Sequence, residues 1–285
     1  MIVPVDLSAS LVAVGDIAGC REDFAADLDL MPFGDTLTAA LADSLPGAIL
    51  GLGDMVYLEG TLEQYQRCFE PNWGRHRRRI RPTPGNHDYS RIADGGETTI
   101  RNLDGYFAYF GENAGPQGRG YYRFQVGLWE VLSLNSEFDL TAGAPQILWL
   151  ESALRSGSAR CSLAFFHRPR FSSSPRGDEP RLEQLWQMLD EAGVDVVLNG
   201  HNHHYERFSL QDSQGRPSAD GIRQFTVGTG GFLIAPPKLN EPGPQSEFIS
   251  SEYGVLALDL SANGYDWRLM GARGVVLDSG HGDCR

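Results

Sequence analysis

The sequence predicts an α/β fold. Three observations carry that reading: short apolar runs rich in β-branched residues that close on Gly-Asp, Gly-Asn or Gly-His steps, amphipathic segments of helical period between them, and a last third made of strands alone. Runs of the first kind suit strands buried on both faces of a sheet that helices cover. Their alternation with helices is the α/β pattern.

The first strand is Leu11-Val12-Ala13-Val14, followed by Gly15-Asp16. Apolar residues at three- and four-residue spacing then predict a helix from Thr36 to Leu45, with Asp35 placed to cap it. Ala48 to Leu52 make the next strand, ahead of Gly53-Asp54. Helical spacing returns from Leu62 to Phe69 behind Thr61, from Pro145 to Leu154, and from Arg181 to Glu191 behind Asp178. Val194 to Leu198 is a further strand before Gly200-His201. Beyond it, Gly221 to Val227, Gly254 to Leu260 and Tyr265 to Leu269 read as strands joined by turns, which predicts an antiparallel second sheet in the last third. Arg168 to Pro180 and Pro236 to Gln245 are loops, neither long nor polar enough for a domain linker, so one domain is expected.

Composition agrees with a folded chain. With 285 residues, 41% of them hydrophobic and 10% aromatic, there is material for a sizeable core. No apolar run is long enough for a membrane helix, and the first residues lack the basic and apolar regions of an export signal, so a cytoplasmic chain is the default expectation. Lys plus Arg total 24 against 37 for Asp plus Glu, and the net charge of −13 repels nucleic acid and anionic membranes at long range. Neither is expected as a partner. The run Arg75-His76-Arg77-Arg78-Arg79-Ile80-Arg81 reads as a solvated edge, with phosphate steering or an acidic partner as the alternative. Cys20, Cys68, Cys161 and Cys284 form no C-x-x-C pair. Buried or free thiols are the expected state, and one or two disulfides the alternative for an exported chain.

Ligands of α/β sheets bind beyond the carboxyl ends of strands, and the chemistry-bearing residues sit at such ends. Asp16 follows the first run, Asp54 and Tyr57 the second. Asn86 and His87 lie in Gly85-Asn86-His87-Asp88, His167 follows Leu163 to Phe166, and His201 and His203 lie in Gly200-His201-Asn202-His203. Singly, an Asp or Asn there caps a helix or closes a turn. As an ordered set that uses four of the seven histidines, they point to a metal centre. A helical turn would put Asp54 and Tyr57 on one face, and an extended segment would aim His201 and His203 the same way. Carboxylate and imidazole suit divalent first-row metals, while a phenolate favours a trivalent ion, so a mixed-valence pair is expected.

This set resembles the metallophosphoesterase superfamily and, within it, the purple acid phosphatases. The matching stretches are Gly15-Asp16, Gly53-Asp54-Met55-Val56-Tyr57, Gly85-Asn86-His87-Asp88, His167 and Gly200-His201-Asn202-His203-His204-Tyr205-Glu206-Arg207. The last matches the purple acid phosphatase pattern G-H-x-H-x-Y-E-R in full, and Ala18 stands where other superfamily members have a ligand histidine that Tyr57 replaces. His167-Arg168-Pro169-Arg170-Phe171-Ser172-Ser173, Val227 to Gly231 and Asp278-Ser279-Gly280 look like bacterial members, many of them exported. The resemblance implies a metallophosphoesterase-type four-layer α/β/β/α sandwich of two mixed sheets. It further implies one catalytic domain over residues 1–285 without the N-terminal β-sandwich of plant-type enzymes, and an exported protein if the N-terminus is trimmed.

Carried over residue by residue, Asp16, Tyr57, His203 and a bridging Asp54 bind Fe(III), while Asp54, Asn86, His167 and His201 bind a divalent Zn, Mn or Fe. The implied reaction is hydrolysis of small phosphate monoesters by metal-activated hydroxide. A phosphodiesterase or nucleotide pyrophosphatase is the alternative on the same core, and an inactive scaffold the remote one. The metals less their anionic ligands leave a small positive charge, which attracts phosphate despite the acidic whole. By the same resemblance His87 and its neighbour Asp88 are the catalytic candidates, with His87 expected to contact phosphate and protonate the leaving oxygen. Many members have a second histidine in the loop after His167; here Arg168 to Gly177 has none, so Arg170, Arg176 or His204 takes over the hold on substrate. A strand would turn His204 away from His203, which favours a supporting role for it. Tyr205, Glu206 and Arg207 are read as supports that fix His201 and His203.

Overall fold

The alternation of side chains along the central strands decides the layering. The computed structural model describes residues 9–20, 34–94, 98–235 and 243–285. The stretch read for an export signal and most of the loop from Pro236 to Gln245 lie outside them. The first half contains β1 (Ala9–Val14), β2 (Ala18–Gly19), α1 (Asp35–Asp43), β3 (Ala48–Gly51), β4 (Val56–Tyr57), α2 (Leu62–Gln64), α3 (Glu70–Trp73), β5 (Ile80–Pro82), β6 (Ser90–Asp94), β7 (Thr98–Asn102) and α4 (Asp104–Phe110). There follow β8 (Tyr122–Val126), β9 (Trp129–Ser133), α5 (Pro145–Ser156), β10 (Cys161–Phe165), α6 (Glu183–Glu191), β11 (Val196–Asn199), β12 (Tyr205–Phe208), β13 (Arg223–Val227), β14 (Ser246–Ser250), β15 (Gly254–Leu260), β16 (Gly264–Gly271) and β17 (Val276–Asp283).

Two large mixed sheets result. One runs β17-β16-β15-β1-β3-β5 and the other β14-β12-β13-β11-β10-β9-β8. In β1, Val12 and Val14 face outward onto α1, α4 and the aromatic residues Tyr65, Phe69 and Trp73. Leu11 and Ala13 face inward, where with Leu50 they meet Leu163, Phe165, Val196, Leu198 and Phe225 of the other sheet. Ala164 and Val197, one residue out of step, face outward again onto Ile147 and Leu150 of α5 and Leu185 and Leu189 of α6. Period-two alternation between two apolar faces is what a doubly covered sheet requires. The fold is the four-layer α/β/β/α sandwich.

The last third departs from expectation. It does not build the second sheet by itself. β13 lies parallel to β11 in that sheet, whereas β15, β16 and β17 extend the first sheet, β15 pairing antiparallel with β1 through Leu11↔Leu258. The cause is visible in β15, where Val255 joins the outer cluster and Leu256 and Leu258 the inner one. A strand apolar on both faces belongs beside β1, between two covered layers.

Helix ends also differ from the sequence reading. Gly34, not Asp35, precedes α1, and the Asp35 carboxylate instead accepts from Asn72 Nδ2 at 2.7 Å. Thr61 Oγ1 caps α2 by accepting from the Gln64 amide at 3.2 Å. Ahead of α6 the cap of the short turn Pro180–Leu182 is Glu179, while Asp178 accepts from the Ser172 amide. The helical path begun at Leu62 continues past Phe69 as a π turn, α3 and a 3-10 turn to Arg79.

That extension carries much of the arginine run into structure. Arg75 pairs with Asp43 at 2.8 Å, Arg79 donates to the Ala42 and Leu45 carbonyls, and buried His76 meets the Ala39 carbonyl at 3.1 Å. Cations at the carbonyl end of a helix satisfy its orphan acceptors. These residues therefore finish α1 rather than form a bare solvated edge. The cysteines too differ from the free-thiol expectation, since Cys20 is bonded to Cys68 and Cys161 to Cys284.

Candidate metal centre

The carboxyl ends of the two sheets meet. The Gly15 amide donates to the Val227 carbonyl at 3.0 Å, and His167 Nδ1 donates to the Leu52 carbonyl at 2.9 Å. Asp16, Asp54 and His201, each just past a strand, have φ of 59°, 49° and 68°, and among the described residues they are the non-glycine positions with positive φ. The left-handed region costs free energy for any residue with a Cβ and gathers at functional sites. Here it turns the chain sharply enough to aim each side chain back over the strand end. Gly53, at φ 86°, precedes one of these turns, and a Cβ there would run into the His167 ring.

This mechanism replaces the two expected from spacing. Asp54 and Tyr57 do not share a helical turn: Tyr57 belongs to β4, paired with β2, and its ring stacks on Phe232 with centroids 3.7 Å apart. His201 and His203 do not lie on an extended strand but on consecutive bends closed by Asn202 N to Gly200 O and His204 N to Asn202 O.

All seven expected ligands converge. Tyr57 Oη lies 2.7 Å from Asp16 Oδ1, 3.0 Å from Asp54 Oδ2 and 3.1 Å from His203 Nε2. His167 Nε2 lies 3.2 Å from Asp54 Oδ2, 3.2 Å from Asn86 Oδ1 and 3.2 Å from His201 Nδ1. Asp54 Oδ2 thus stands between two donor sets, one with Asp16, Tyr57 and His203, the other with Asn86, His167 and His201. Asp16 Oδ2 also accepts from the His201 amide at 2.8 Å, which locks one set to the other.

The crowd is electrostatically tense. Burial, together with the Asp16 and Asp54 carboxylates, pushes the Tyr57 hydroxyl well above its usual range. Burial opposes the ionised form of Asp54, yet its imidazole partner His167 wins and holds the carboxyl far below normal. His167 is pushed up to about 9, burial opposing and the Asp54 charge prevailing, while burial and the neighbouring His167 drive His201 down. A buried oxygen-and-nitrogen cage of this composition fits a pair of hard to borderline cations, which would take the place of the shared protons.

His87 borders the cage. Its amide donates to Asp54 Oδ1 at 2.7 Å, and its Nδ1 donates to the Leu58 carbonyl at 2.9 Å, leaving Nε2 to exchange a proton. Asp88, expected beside it in catalysis, lies behind the site. Its carboxylate accepts from the amides of Asp54, Met55 and Gly85 at 2.8, 3.0 and 2.8 Å and from Tyr65 Oη at 2.5 Å. With both oxygens occupied, Asp88 fastens the Asp54 turn to the Asn86 loop. Burial and the nearby Asp54 charge push its carboxyl up to about 7.

The substrate-holding candidates divide. Arg176 reaches the site, its Nη1 2.8 Å from His201 Nε2. Arg170 does not: its guanidinium covers the Phe171 ring at 4.7 Å. His204 lines the cleft beside His203 but is buried, with Nε2 3.4 Å from Glu206 Oε2, so it braces the loop. Glu206 in turn accepts from the Ser173 amide, and Tyr205 and Arg207 both bond Asp278. The sequence reading missed Arg168, whose Nη1 is 3.0 Å from His201 Nε2, its anchor Glu137, and Phe232. Only adjacency to His167 marked Arg168, and nothing local marked the other two.

Residues 9–205 match the family model for calcineurin-like phosphoesterases. Among curated proteins the chain is 28% identical over 226 residues to probable purple acid phosphatase 20 of Arabidopsis thaliana, covering 70% of this chain and 51% of that one. Purple acid phosphatase 22 of the same plant is 26% identical over 219 residues, covering 70% and 50%. The chain therefore spans about half the length of these relatives. Among solved structures, purple acid phosphatase PPD1 from yellow lupin (Lupinus luteus) superposes with a TM-score of 0.72 at 20% identity, covering 96% of this chain and 53% of that one. GAP50, described as the anchor in the inner membrane complex of Plasmodium, gives 0.66 at 14% identity, covering 98% and 89%. The chain belongs to the calcineurin-like phosphoesterase family, and its relatives imply a binuclear metal centre.

Proposed function

We propose that this calcineurin-like phosphoesterase hydrolyses compounds with a terminal phosphoryl group, phosphate monoesters above all, in the manner of a purple acid phosphatase. The observation that carries the reading is the position of Asp54 Oδ2, 3.0 Å from the Tyr57 hydroxyl and 3.2 Å from His167 Nε2, between two complete donor sets. Asp16, Tyr57, His203 and Asp54 would hold Fe(III), and Asp54, Asn86, His167 and His201 a divalent Zn, Mn or Fe. Such a pair supplies Lewis acidity toward phosphoryl oxygens and a water acidic enough to attack near neutral pH. The chain supplies the rest. His87, tethered through Nδ1, presents Nε2 to the leaving oxygen as its proton donor. Asp88 and Tyr65 keep the Asp54 and Asn86 turns in register, and Phe232 keeps the Tyr57 ring in plane.

The test combines elemental analysis with a substrate panel. Protein purified without chelator should carry two metal equivalents and turn over nitrophenyl phosphate faster than its bis-ester. His201→Ala should retain about one. Faster turnover of the bis-ester would favour a phosphodiesterase. Metal far below stoichiometry without turnover would favour a scaffold. A small phosphorylated compound is the expected partner, and nucleic acid is not. Among the described residues no helix is long and apolar enough to cross a membrane. The two disulfides support maturation in an oxidising compartment.

A further inference from the structure

The two large sheets end in four terminal strands, β17, β5, β14 and β8, and three of them are defended against a further strand. The ladders that join β17 to β16 and β14 to β12 each slip in register, at Leu269 and Met270 and at Arg207 and Phe208. In β5, Pro82 has no amide to offer, and its carbonyl already accepts from Tyr106 Oη at 2.8 Å and Tyr122 Oη at 2.9 Å. Bulges, proline and cover are the usual protections of a sheet edge. β8 has none of them. It pairs with β9 in unbroken register from Tyr122↔Ser133 to Val126↔Trp129. The Leu134 amide donates to the Phe165 carbonyl, so by alternation Leu132 and Glu130 turn their backbone groups to β10, and their partners Arg123 and Gln125 turn theirs away from β9. Both residues are exposed, and among the described residues those outward amides and carbonyls have no partner.

Grooves follow this edge. One of about 780 Å³ runs along Tyr121 to Phe124, and one of about 560 Å³ along Arg123 to Gln125. The side chains of β8 alternate in character. The Tyr122 and Phe124 rings lie together with centroids 5.8 Å apart, Phe124 against the inner cluster. Arg123 turns the other way, where its Nη1 donates to Glu130 Oε1 and to the Ala153 carbonyl of α5, each at 3.1 Å. Arg81 and Arg119 also line the larger groove, Arg119 with its guanidinium 5.9 Å from the Tyr121 ring. Arg81, a member of the arginine run that α1 does not use, donates from Nη1 to the main-chain carbonyls of Arg78 and Ile80. Among the described residues neither arginine has a carboxylate partner, although Glu112 lines the same groove.

We propose that β8 accepts an extended acidic segment of a partner protein as an added strand, paired through the backbone groups of Arg123 and Gln125 and held by Arg81 and Arg119. Main-chain pairing supplies register and affinity in such an addition, and the alternating side chains supply the sequence preference. Here the preference is for apolar residues over Tyr122 and Phe124, with carboxylates between them for the arginines. Charge also decides against a second copy. Two chains that each carry −13 repel one another, whereas a short acidic segment meets chiefly the arginines within the roughly 8 Å over which charge is felt at physiological salt. None of the residues that line these grooves is among the seven expected metal ligands, so the edge is a second site.

The probe is a capped, fluorescent hexapeptide of alternating glutamate and valine, titrated by anisotropy against the metal-loaded full chain with excess inorganic phosphate present to occupy the metal centre. It should bind at least about tenfold more tightly than the same peptide with lysine for glutamate. Arg81→Ala combined with Arg119→Ala should weaken it about tenfold. Gln125→Pro removes an outward amide without touching the ladder to β9 and should weaken it about fivefold. Bound peptide should also slow hydrogen exchange at the Arg123 and Gln125 amides. Thermal unfolding and turnover of nitrophenyl phosphate should match wild type in both variants, and if the proline variant fails to fold, the arginine variant and the exchange data carry the test. Absent binding, equal affinity for the two peptides, or binding that leaves those amides unprotected would overturn the proposal. So would self-association of the free chain that Gln125→Pro abolishes, since the edge would then serve a second copy.

Discussion

The two halves of the site bring opposite chemistry to one point. Loops after β1, β3 and β5 and the short strand β4 supply oxygen: the carboxylates of Asp16 and Asp54, the carboxamide of Asn86 and the phenol of Tyr57. Loops after β10 and β11 supply three imidazoles, His167, His201 and His203, and two guanidiniums, Arg168 and Arg176. The first half is rigid behind the site because Asp88 draws three backbone amides and the Tyr65 hydroxyl onto one carboxylate. The second half is steadied at its rim by Glu137 and Glu206. The contrast teaches a division of labour: anionic donors on the first sheet can neutralise cations, and the cationic edge of the second can receive an anion.

The largest effect should come from breaking the oxygen half at its shared atom. Asp54→Ala removes the carboxylate oxygen that stands between the side-chain donors of both sets, so both metals should leave together and activity should fall at least about 100-fold. Retention of one full metal equivalent by elemental analysis would show that Asp54 serves only one side. His87→Ala should act differently. It should keep both metals and lower kcat by about 10²–10⁴ for esters of poorly acidic alcohols, with a smaller loss for substrates whose leaving groups need no proton. Metal loss in that variant would turn His87 into a ligand and move it into the oxygen half.

The comparison also marks what could be read from the chain. Ordered Gly-Asp and Gly-His steps disclosed Asp16, Asp54 and His201 because short buried strands have a clear apolar signature and the residue after one is placed by it. Their left-handed backbone was not disclosed. No period encodes it, and helical or extended geometry was the natural but mistaken substitute. The last third misled for a related reason: a strand apolar on both faces fits either sheet, and only its pairing with β1 decides. Glu137 and Phe232 stayed invisible because each meets its partner across a large sequence gap. The same holds for Asp35, whose contact with Asn72 pre-empts the cap that its position suggested.

Within the oxygen half, Tyr57 sharpens the contrast further, since it alone separates a trivalent from a divalent preference. A phenolate on Fe(III) absorbs visible light by charge transfer, so iron-loaded wild type should be pink to purple. Tyr57→Phe keeps the ring on Phe232 and deletes the oxygen that meets Asp16, Asp54 and His203. The colour should vanish, and the site should shift toward divalent ions with a partial loss of activity, about tenfold. Colour that survives the substitution would remove Tyr57 from the ligand set. Colourless wild type, fully active with zinc or manganese alone, would keep the hydrolase and drop the trivalent ion.

The smallest effect on chemistry should come from the bridge that joins the halves at their far end. Cys161 opens β10 in the second sheet, and Cys284 follows β17 in the first, so this disulfide fastens sheet to sheet and closes a separation of 123 residues. His167 lies past the other end of β10, roughly 20 Å away at the rise of an extended strand. Cys161→Ser with Cys284→Ser should therefore lower unfolding free energy by about 2–5 kcal/mol, the range for a bridge that restrains a long loop. The folded fraction should keep its metal content and kcat at 25 °C. Thermal unfolding alongside turnover on the same samples separates the two. The Cys20–Cys68 bridge closes a separation of only 48 residues but holds the strand that pairs with Tyr57, so its removal should disturb metal retention as well. If the inter-sheet bridge proves the more damaging to activity, the halves are held in register from the far edge of the sheets and not by the turns around Asp54 and Asp88.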